Sequence, residues 1–360
     1  MKTLEKTGCW GRVLMVCGAL ASASAPALAQ GGSSVRLYGT VDAWAGSSKP
    51  IGAAGSSGTV GSGGWQTSYW GLGGSEDLGQ GWRAVFALES FMRVNTGQAG
   101  RYDSDDFFSR SAYVGLESDW GRLTVGRNTT PYFVSVVGTN PFGGSFGFGP
   151  SIYHSYGGNG AVAAPLLGDS SWSNSVAYAS PKVRGFKLNV LYGRGNPGAG
   201  GDWSEESGAY KWGGSLSYDQ GPLTATVALQ QLSFSRYSGD LAGRQDKQRA
   251  VLAGLAYDFG PVKLYGQFQQ IDNRGGPLQD LRVRGGQAGA AIPVRGQDRV
   301  LLSYAYSRST GRSEEKRNTW ALGYEMGLSK RTQLYASYFS DRVDVVGRGH
   351  SVGVGMRHTF

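Results

Sequence analysis

The feature that most constrains this chain is an alternation of apolar and polar side chains that recurs in sixteen segments between Ser34 and the end of the sequence. In the last segment, HSVGVGMRHTF, Val352, Val354 and Met356 fall on one face of a strand, and Arg357 falls on the other. Such a pattern indicates strands with one apolar and one polar side. No segment after residue 29 is apolar and long enough to be a membrane-spanning helix.

The connections between these segments alternate in length. Brief joints such as DQG, RGQ and SKR are followed by longer polar stretches such as NRGGPLQD. An even number of antiparallel strands with short turns on one side and long loops on the other is typical of outer-membrane barrels, because closure leaves no unpaired strand edge in lipid. The sequence therefore predicts an all-β fold, a 16-stranded antiparallel transmembrane β-barrel. A soluble secreted β-sandwich is the alternative, since its strands alternate equally well.

The N-terminal residues have the three parts of a secretory signal peptide. Lys2, Lys6 and Arg12 precede the apolar run VLMVCGALASA, and a small-x-small cleavage site ends at Ala29. We expect residues 1–29 to be removed and residues 30–360 to form one barrel domain. Both cysteines of the chain lie in the removed segment, so the mature protein would have no thiol.

The chain is basic, but the charge is not arranged for nucleic acid. The formal net charge is +9, and removal of residues 1–29 leaves +7. There is no run rich in Lys and Arg, and an exported protein rarely meets nucleic acid, so no nucleic-acid partner is predicted. We assign the positive charge to the wall of a pore.

The alternation stops after Arg127 for about forty residues, a length that suggests a functional loop. Sixteen strands enclose an aqueous channel, so a loop that narrows the channel can select solutes. The candidate is the loop from Thr129 to Trp172, with Phe142, Gly143 and Gly144 in its motif NPFGGSFGFGP. Its glycines allow the backbone to turn tightly and to pass close to the wall.

Several stretches resemble one known family. SSVRLYGTVDA, WGLGGSEDLGQGWRAVFALES, SAYVGLESDWGRLTVGRNTTPY and the ending GMRHTF are similar to segments of Gram-negative general porins of the trimeric, betaproteobacterial and neisserial type. The resemblance implies a homotrimer, a third extracellular loop that folds into the lumen, and recognition of the C-terminal Phe360 by the outer-membrane assembly machinery. It also implies contact with outer-membrane lipid and lipopolysaccharide.

The chain departs from this family at some positions. The glutamate of the family's PEFGG motif is missing, and Asp169 is the only acid of the predicted loop. Tyr69 and Gly73 stand where the family often has basic residues, and His358 replaces an apolar residue. These departures predict a weak transverse field.

The candidate pore-lining cations share the polar face of their strands. They are Arg36, Arg83, Arg122, Lys187, Lys211 and Lys263. Arg127 joins them only if a bulge near Gly126 resets the alternation. Six or seven cations facing one acid predict a water-filled outer-membrane porin for passive diffusion of small hydrophilic solutes and ions, with a weak preference for anions. No catalytic residue, cofactor or metal is predicted.

Two other functions remain open. A substrate-specific uptake channel of the same fold would bind its solute along the wall. An outer-membrane hydrolase would have only His154, His350 and His358 as imidazole bases, and the sequence has neither a GxSxG nor an HExxH motif. The acidic cluster from Asp103 to Asp106 suggests either solvated surface or a site for divalent cations that bridge lipopolysaccharide.

Overall fold

A computed structural model describes residues 32–157, 164–195, 209–234, 246–275 and 280–360. The predicted signal peptide, residues 1–29, lies outside the described residues. The first nine strands are β1 (Ser34–Lys49), β2 (Ser57–Ser62), β3 (Tyr69–Gly79), β4 (Trp82–Arg93), β5 (Gln98–Ala99), β6 (Ser111–Ser118), β7 (Gly121–Thr129), β8 (Ser171–Ala179) and β9 (Phe186–Arg194). The other nine are β10 (Tyr210–Gln220), β11 (Leu223–Ser233), β12 (Lys247–Asp258), β13 (Lys263–Arg274), β14 (Leu281–Arg295), β15 (Asp298–Gly311), β16 (Lys316–Gly327), β17 (Thr332–Val343) and β18 (Gly347–Thr359).

The strands form one closed antiparallel sheet. The last strand, β18, pairs with β1 from Thr40 opposite Thr359 to Lys49 opposite His350, and this pairing closes the cylinder. β2 and β5 are short additions within loops, so sixteen strands build the barrel wall. The predicted 16-stranded barrel is confirmed.

One stretch forms strand where its composition suggests a loop. The Gly/Ser-rich residues from Gly46 to Gly64 include the end of β1, which continues to Lys49, and β2, which pairs with it, Ser57 opposite Ser48. Composition alone underestimates strand length here, because Gly and Ser are accommodated where a neighbouring strand supplies hydrogen bonds on both sides.

The outer wall is apolar. Side chains that point outward include the exposed Leu302, Tyr304, Tyr306 and Trp320, as the alternation predicts. The rings of Trp320 and Tyr338 lie 4.9 Å apart on neighbouring strands. Aromatic side chains of this kind mark the level where a bilayer meets water.

The connection between β7 and β8, which we call loop 3 (residues 130–170), folds into the barrel. It carries two helices, α1 (Pro131–Gly138) and α2 (Pro150–Ser155). Thr130 caps α1 by accepting a hydrogen bond from the Phe133 amide, and a proline begins each helix. Neither helix is long and apolar enough to cross a membrane.

Loop 3 lies against the inner wall because that wall is locally apolar. Tyr132, Val136 and Ile152 are fully buried and pack with Leu252 and Ile271, which point inward from β12 and β13. Burial of such side chains contributes about 1.5–3 kcal/mol each. The predicted inward-folded third loop is confirmed.

A buried carboxylate joins the first and last parts of the chain. Asp42 on β1 accepts hydrogen bonds from the amides of Gly64, Trp65 and Gln66 at 2.9–3.0 Å. It also accepts one at 2.6 Å from the hydroxyl of Tyr335 on β17. The residues from Gly64 to Gln66, which precede β3, are thereby held beside the seam where the barrel closes.

Candidate functional site

Loop 3 is fastened to the inner wall by polar groups as well as by apolar packing. Gln267 donates to the carbonyl of Val136 at 2.7 Å, and Gln269 donates to the carbonyl of His154 at 3.1 Å. Arg317 on β16 donates to the carbonyl of Tyr153 at 3.0 Å and pairs with Asp341 on β17. These contacts satisfy backbone groups that the loop would otherwise bury unpaired.

The tip of loop 3 reaches the beginning of the chain. Phe142 packs edge to face on Trp65 with ring centroids 5.9 Å apart, and Phe148 packs in the same way on Trp44 at 5.1 Å. Gly143 has a φ of +52°, which favours glycine. Phe142, Gly143 and Gly144 therefore lie at the tip of loop 3, beside Trp65.

The wall of β3, β4 and β6 carries charge. The Arg110 guanidinium lies 3.9 Å from the ring centre of Tyr69 and forms an ion pair with Glu89. Glu89 also accepts a hydrogen bond of 2.7 Å from the Tyr38 hydroxyl. The Tyr69 ring and the Glu89 carboxylate hold the guanidinium in one orientation.

A second guanidinium lies near the first. Arg357 on β18 donates to Gln333 at 3.1 Å and lies 3.7 Å from the Glu325 carboxylate. Glu325 also accepts two hydrogen bonds from Arg299, at 2.9 and 3.0 Å. Arg110 and Arg357 line one recess of the lumen together with Thr40, Gln66, Tyr69, Gln333 and Thr359. Gln66 follows Trp65, on which the tip of loop 3 packs, so this recess belongs to the constriction.

Five of the predicted cations face the lumen at a different height. Each lies within the first three residues of its strand, at the barrel end that carries the short turns: Arg36, Arg83, Arg122, Lys187 and Lys263. Arg122 alone also lines the compartment that contains Glu89, Arg110 and Val134 of α1. None of these five cations lines the recess beside the loop tip, because alternation determines the face of a strand and carries no information about height.

The expectation of a single facing acid is also wrong. Glu117 on β6 forms ion pairs with both Arg83 and Arg122. Glu89, Glu325 and Asp341 are further carboxylates on the inner wall, and each of them pairs with a guanidinium. The cations of the lumen are thus partly neutralised.

Lys211 does not line the water of the lumen. It points inward from β10, but it is fully buried, with its ammonium 3.4 Å from the carbonyl of Gly195. Trp172, Leu191 and Leu232 fill the neighbouring space. A loop can bury a side chain that points inward from a strand. The alternation of apolar and polar residues along that strand does not show such burial.

Arg127 and Asp169 pair with each other. The register of β7 against β8 shifts between Gly126 and Asn128, so the predicted bulge is present, and Gly126 has a φ of +134°. The guanidinium donates to the carbonyl of Ser109 at 2.7 Å and to Asp169. Arg127 thereby fastens the end of loop 3 and is only 6% exposed, so it does not act as a free cation in the lumen.

The connection between β4 and β6, which we call loop 2 (residues 94–110), joins this ion pair. Four residues then form what we call the loop clamp: Arg101, Asp105, Arg127 and Asp169. Arg101 donates to both carboxylates at 2.7–2.9 Å. Burial acts to raise the pKa of Asp169, but hydrogen bonds and charge from Arg101, with the charge of Arg127, hold it below its usual value. The acidic cluster is therefore partly used in ion pairs, since Asp103 also pairs with Arg93.

The three histidines have structural partners. His154 is buried and its two ring nitrogens lie 2.8 Å from the hydroxyls of Ser307 and Thr319. His350 lies 3.4 Å from Ser56, and His358 lies 2.9 Å from Thr332. His154 positions α2 on the wall.

Sequence reasoning missed Arg110, Arg299, Arg317 and Arg357. Arg357, Arg299 and Arg317 lie on the polar faces of their strands, so the alternation could have identified them. Arg110 precedes β6 by one residue and has no strand parity to read.

The chain matches a family model described as Gram-negative porin over residues 17–345. It is 31% identical to outer membrane porin protein 32 of Delftia acidovorans over 90% of this chain and 87% of the relative. It is 30% identical to an outer membrane porin protein of Bordetella pertussis over 81% and 82%, respectively. An anion-selective porin from Comamonas acidovorans has a similar structure, with a TM-score of 0.76, 28% identity and coverage of 91% of this chain and 100% of that one. The chain therefore belongs to the Gram-negative porin family and is a multi-pass β-barrel of the outer membrane.

Proposed function

We propose that this porin is a passive channel for small hydrophilic solutes and ions with a weak preference for anions. The observation that carries the anion preference is the sharing of carboxylates in the lumen. Glu117 forms ion pairs with both Arg83 and Arg122. Glu325 forms ion pairs with both Arg299 and Arg357. Each group of three residues therefore keeps one net positive charge. The similar porin from Comamonas acidovorans is described as anion-selective, which supports the proposal.

The preference is expected to be weak because the charges are screened. Ions screen interactions beyond roughly 8 Å at physiological salt, so a cation at the short-turn rim acts little on a solute at the constriction. Arg110 and Arg357 line the recess beside the loop tip and carry the largest share of the effect.

The test is the reversal potential of single channels in a potassium chloride gradient across a planar bilayer. We expect chloride to be preferred by a few-fold over potassium, and the double substitution R110Q/R357Q to remove most of this preference. The matched control is R342Q/R348Q, which removes two exposed arginines on the outward face of β17 and β18. A cation-selective wild-type channel would overturn the proposal.

A second function has support from the same recess. Two guanidiniums surrounded by hydroxyl and amide groups suit a small anionic solute. Saturable block of single-channel current by a small carboxylate or phosphate would favour substrate-specific uptake, and current that falls in simple proportion to viscosity would favour free diffusion.

The remaining expectations belong to the same proposal. We propose that residues 1–29 are a removed signal peptide, that residues 30–360 form the mature barrel, and that three copies assemble. We also propose that the assembly machinery recognises Phe360, and that lipopolysaccharide surrounds the extracellular half of the barrel. Mass spectrometry of the mature protein and of its native assembly tests the first three statements.

A further inference from the structure

Trp65, between β2 and β3, lies beside both parts of the constriction. Its ring centre is 5.9 Å from that of Phe142 at the tip of loop 3, and it is 5.9 Å from the guanidinium of Arg357, which lines the recess. Trp65 is only 3% exposed, so its indole acts on the channel through these neighbours and not by contact with solutes.

The main chain on both sides of this indole is fixed. The Asp42 carboxylate accepts hydrogen bonds from three consecutive amides, those of Gly64, Trp65 and Gln66, at 2.9–3.0 Å. Successive amides that converge on one anion hold a short segment in a single conformation. The indole is therefore attached to a rigid support.

The orientation of the ring is fixed as well. Its Nε1 donates to the hydroxyl of Ser337 at 2.7 Å, and the ring stacks on Tyr335 with centres 4.8 Å apart and an angle of 16° between the planes. Gly323 on β16 leaves the space that this arrangement needs, because a Cβ there would lie 2.9 Å from Cζ2 of Trp65 and 3.0 Å from the Phe142 ring. The indole cannot move without displacing these neighbours.

Arg357 is held short of a direct hydrogen bond to its nearest carboxylate. Glu325 accepts two hydrogen bonds from Arg299 at 2.9 and 3.0 Å, whereas the Arg357 guanidinium lies 3.7 Å from it. Charge-assisted hydrogen bonds of this kind are usually about 2.7–2.9 Å long. Arg357 donates instead to Gln333 at 3.1 Å, and its side chain is 24% exposed. Its charge therefore stays toward the recess.

We propose that Trp65 is a positioning residue for Arg357 and thereby maintains the anion preference of the constriction. A guanidinium within roughly 6 Å of an indole ring centre is attracted to the negative face of the ring. This attraction and the bulk of the fixed ring keep Arg357 in the recess. Without the ring, the guanidinium is free to close on Glu325, whose carboxylate offsets its charge. The inference rests on the proposed function and names a residue that sustains its selectivity.

The test is a double-mutant cycle with W65L, R357Q and W65L/R357Q, measured as the reversal potential of single channels in planar bilayers. A potassium chloride gradient of about 10 to 100 mM keeps screening weak. R357Q should lower the permeability ratio of chloride to potassium roughly 1.5-fold, and W65L should cause at least about half of that loss on a logarithmic scale. In the R357Q background, W65L should lower the ratio no further, because the group that Trp65 positions is already absent.

The matched control is W44L. Trp44 also supports the tip of loop 3, but it does so by packing on Phe148. Its effects on conductance and on the permeability ratio should therefore be the same with and without Arg357. If W65L gives no conducting channel, the same cycle is run with W65F, whose smaller ring attracts a guanidinium less strongly and still packs on Tyr335.

Three results would overturn the inference. They are a wild-type reversal potential in W65L, a loss of chloride preference in W65L that is equally large without Arg357, or a W44L effect that also requires Arg357. The second result would show that Trp65 only supports the tip of loop 3. Additive effects in a channel that prefers chloride refute this inference alone. A wild-type channel that prefers potassium refutes the proposed function, and the cycle then still shows whether the contribution of Arg357 depends on Trp65.

Discussion

The inner wall of strands β11–β17 and the inner wall of strands β1–β7 differ in what covers them. Loop 3 covers the first wall with buried apolar groups such as Tyr132 and Ile152, and polar contacts there are closed by protein partners. The second wall is left to water and carries Glu89, Arg110 and Glu117 in partly exposed ion pairs. The difference teaches that the covered part of the wall anchors the constriction, whereas uncovered ion pairs, which include Arg299 with Glu325 on β15 and β16, set its field.

The comparison predicts that removal of a charge on the covered wall affects stability. Asp341 accepts three hydrogen bonds from Arg317 and Thr319, and both members of the ion pair are nearly buried. Asp341→Asn leaves a buried guanidinium without its counter-charge, which costs about 3–5 kcal/mol. We expect a lower thermal unfolding temperature and a larger, flickering single-channel conductance as α2 detaches. Asp344→Asn, in the adjacent exposed turn, is the control, and a D341N channel identical to wild type would show that the pair does not hold the loop.

A second prediction concerns the apolar anchor of the loop tip. Phe148 is fully buried against Trp44, so Phe148→Ala should weaken docking of the tip by about 3 kcal/mol. Conductance should rise and proteases should cleave loop 3 more readily, while the barrel stays folded. Val134→Ala, an exposed position on α1, should change neither property. Normal protease resistance in F148A would mean that the polar contacts alone suffice.

On the open wall the same chemical change should act on selectivity. Glu117→Gln releases Arg83 and Arg122 from their shared carboxylate, and both guanidiniums are about half exposed. The preference for chloride should increase by about twofold, because one net positive charge is added near solvent. Stability should change little, since partly exposed ion pairs contribute at most about 1 kcal/mol. A large drop in unfolding temperature would contradict the division between the two walls.

The smallest predicted effect is that of acidic pH on the stability of the loop clamp. The pKa of Asp169 in the folded protein lies below its ordinary value of 3.8, so the unfolded loop binds more protons between these two values. The clamp's contribution to stability is therefore fully present above pH 3.8 and is lost as pH falls through the lowered pKa. Pepsin cleavage in loop 2 should stay slow at pH 4 and accelerate at lower pH. In Asp169→Asn the cleavage should be fast at pH 4 and at lower pH. Equal cleavage rates for wild type and D169N would show that the clamp does not protect loop 2.

Much of the fold could be predicted because the side chains of a barrel in lipid alternate between an apolar outer face and a polar inner face. The strand number, the outward aromatic residues and the inward loop around Phe142 follow from this alternation and from the loop lengths. The constriction was predicted less well. Height in a tilted, staggered barrel is not encoded by alternation, so the sequence indicates that Arg36 and Lys263 face the lumen but does not show that Arg110 and Arg357 line the constriction. Pairing across strands also joins distant residues, so Glu117 could not be matched to Arg83 from their positions in the chain.

The carboxylate of Asp42 has a consequence for assembly. Three of its donors are nearby in sequence, but the Tyr335 hydroxyl comes from 293 residues further along the chain. The full set of donors converges only after the first strand has met the last. In a half-built sheet this carboxylate would be shielded from water and would still lack part of its set of hydrogen-bond donors. Such an intermediate is destabilised, which favours closure of the barrel in one concerted step.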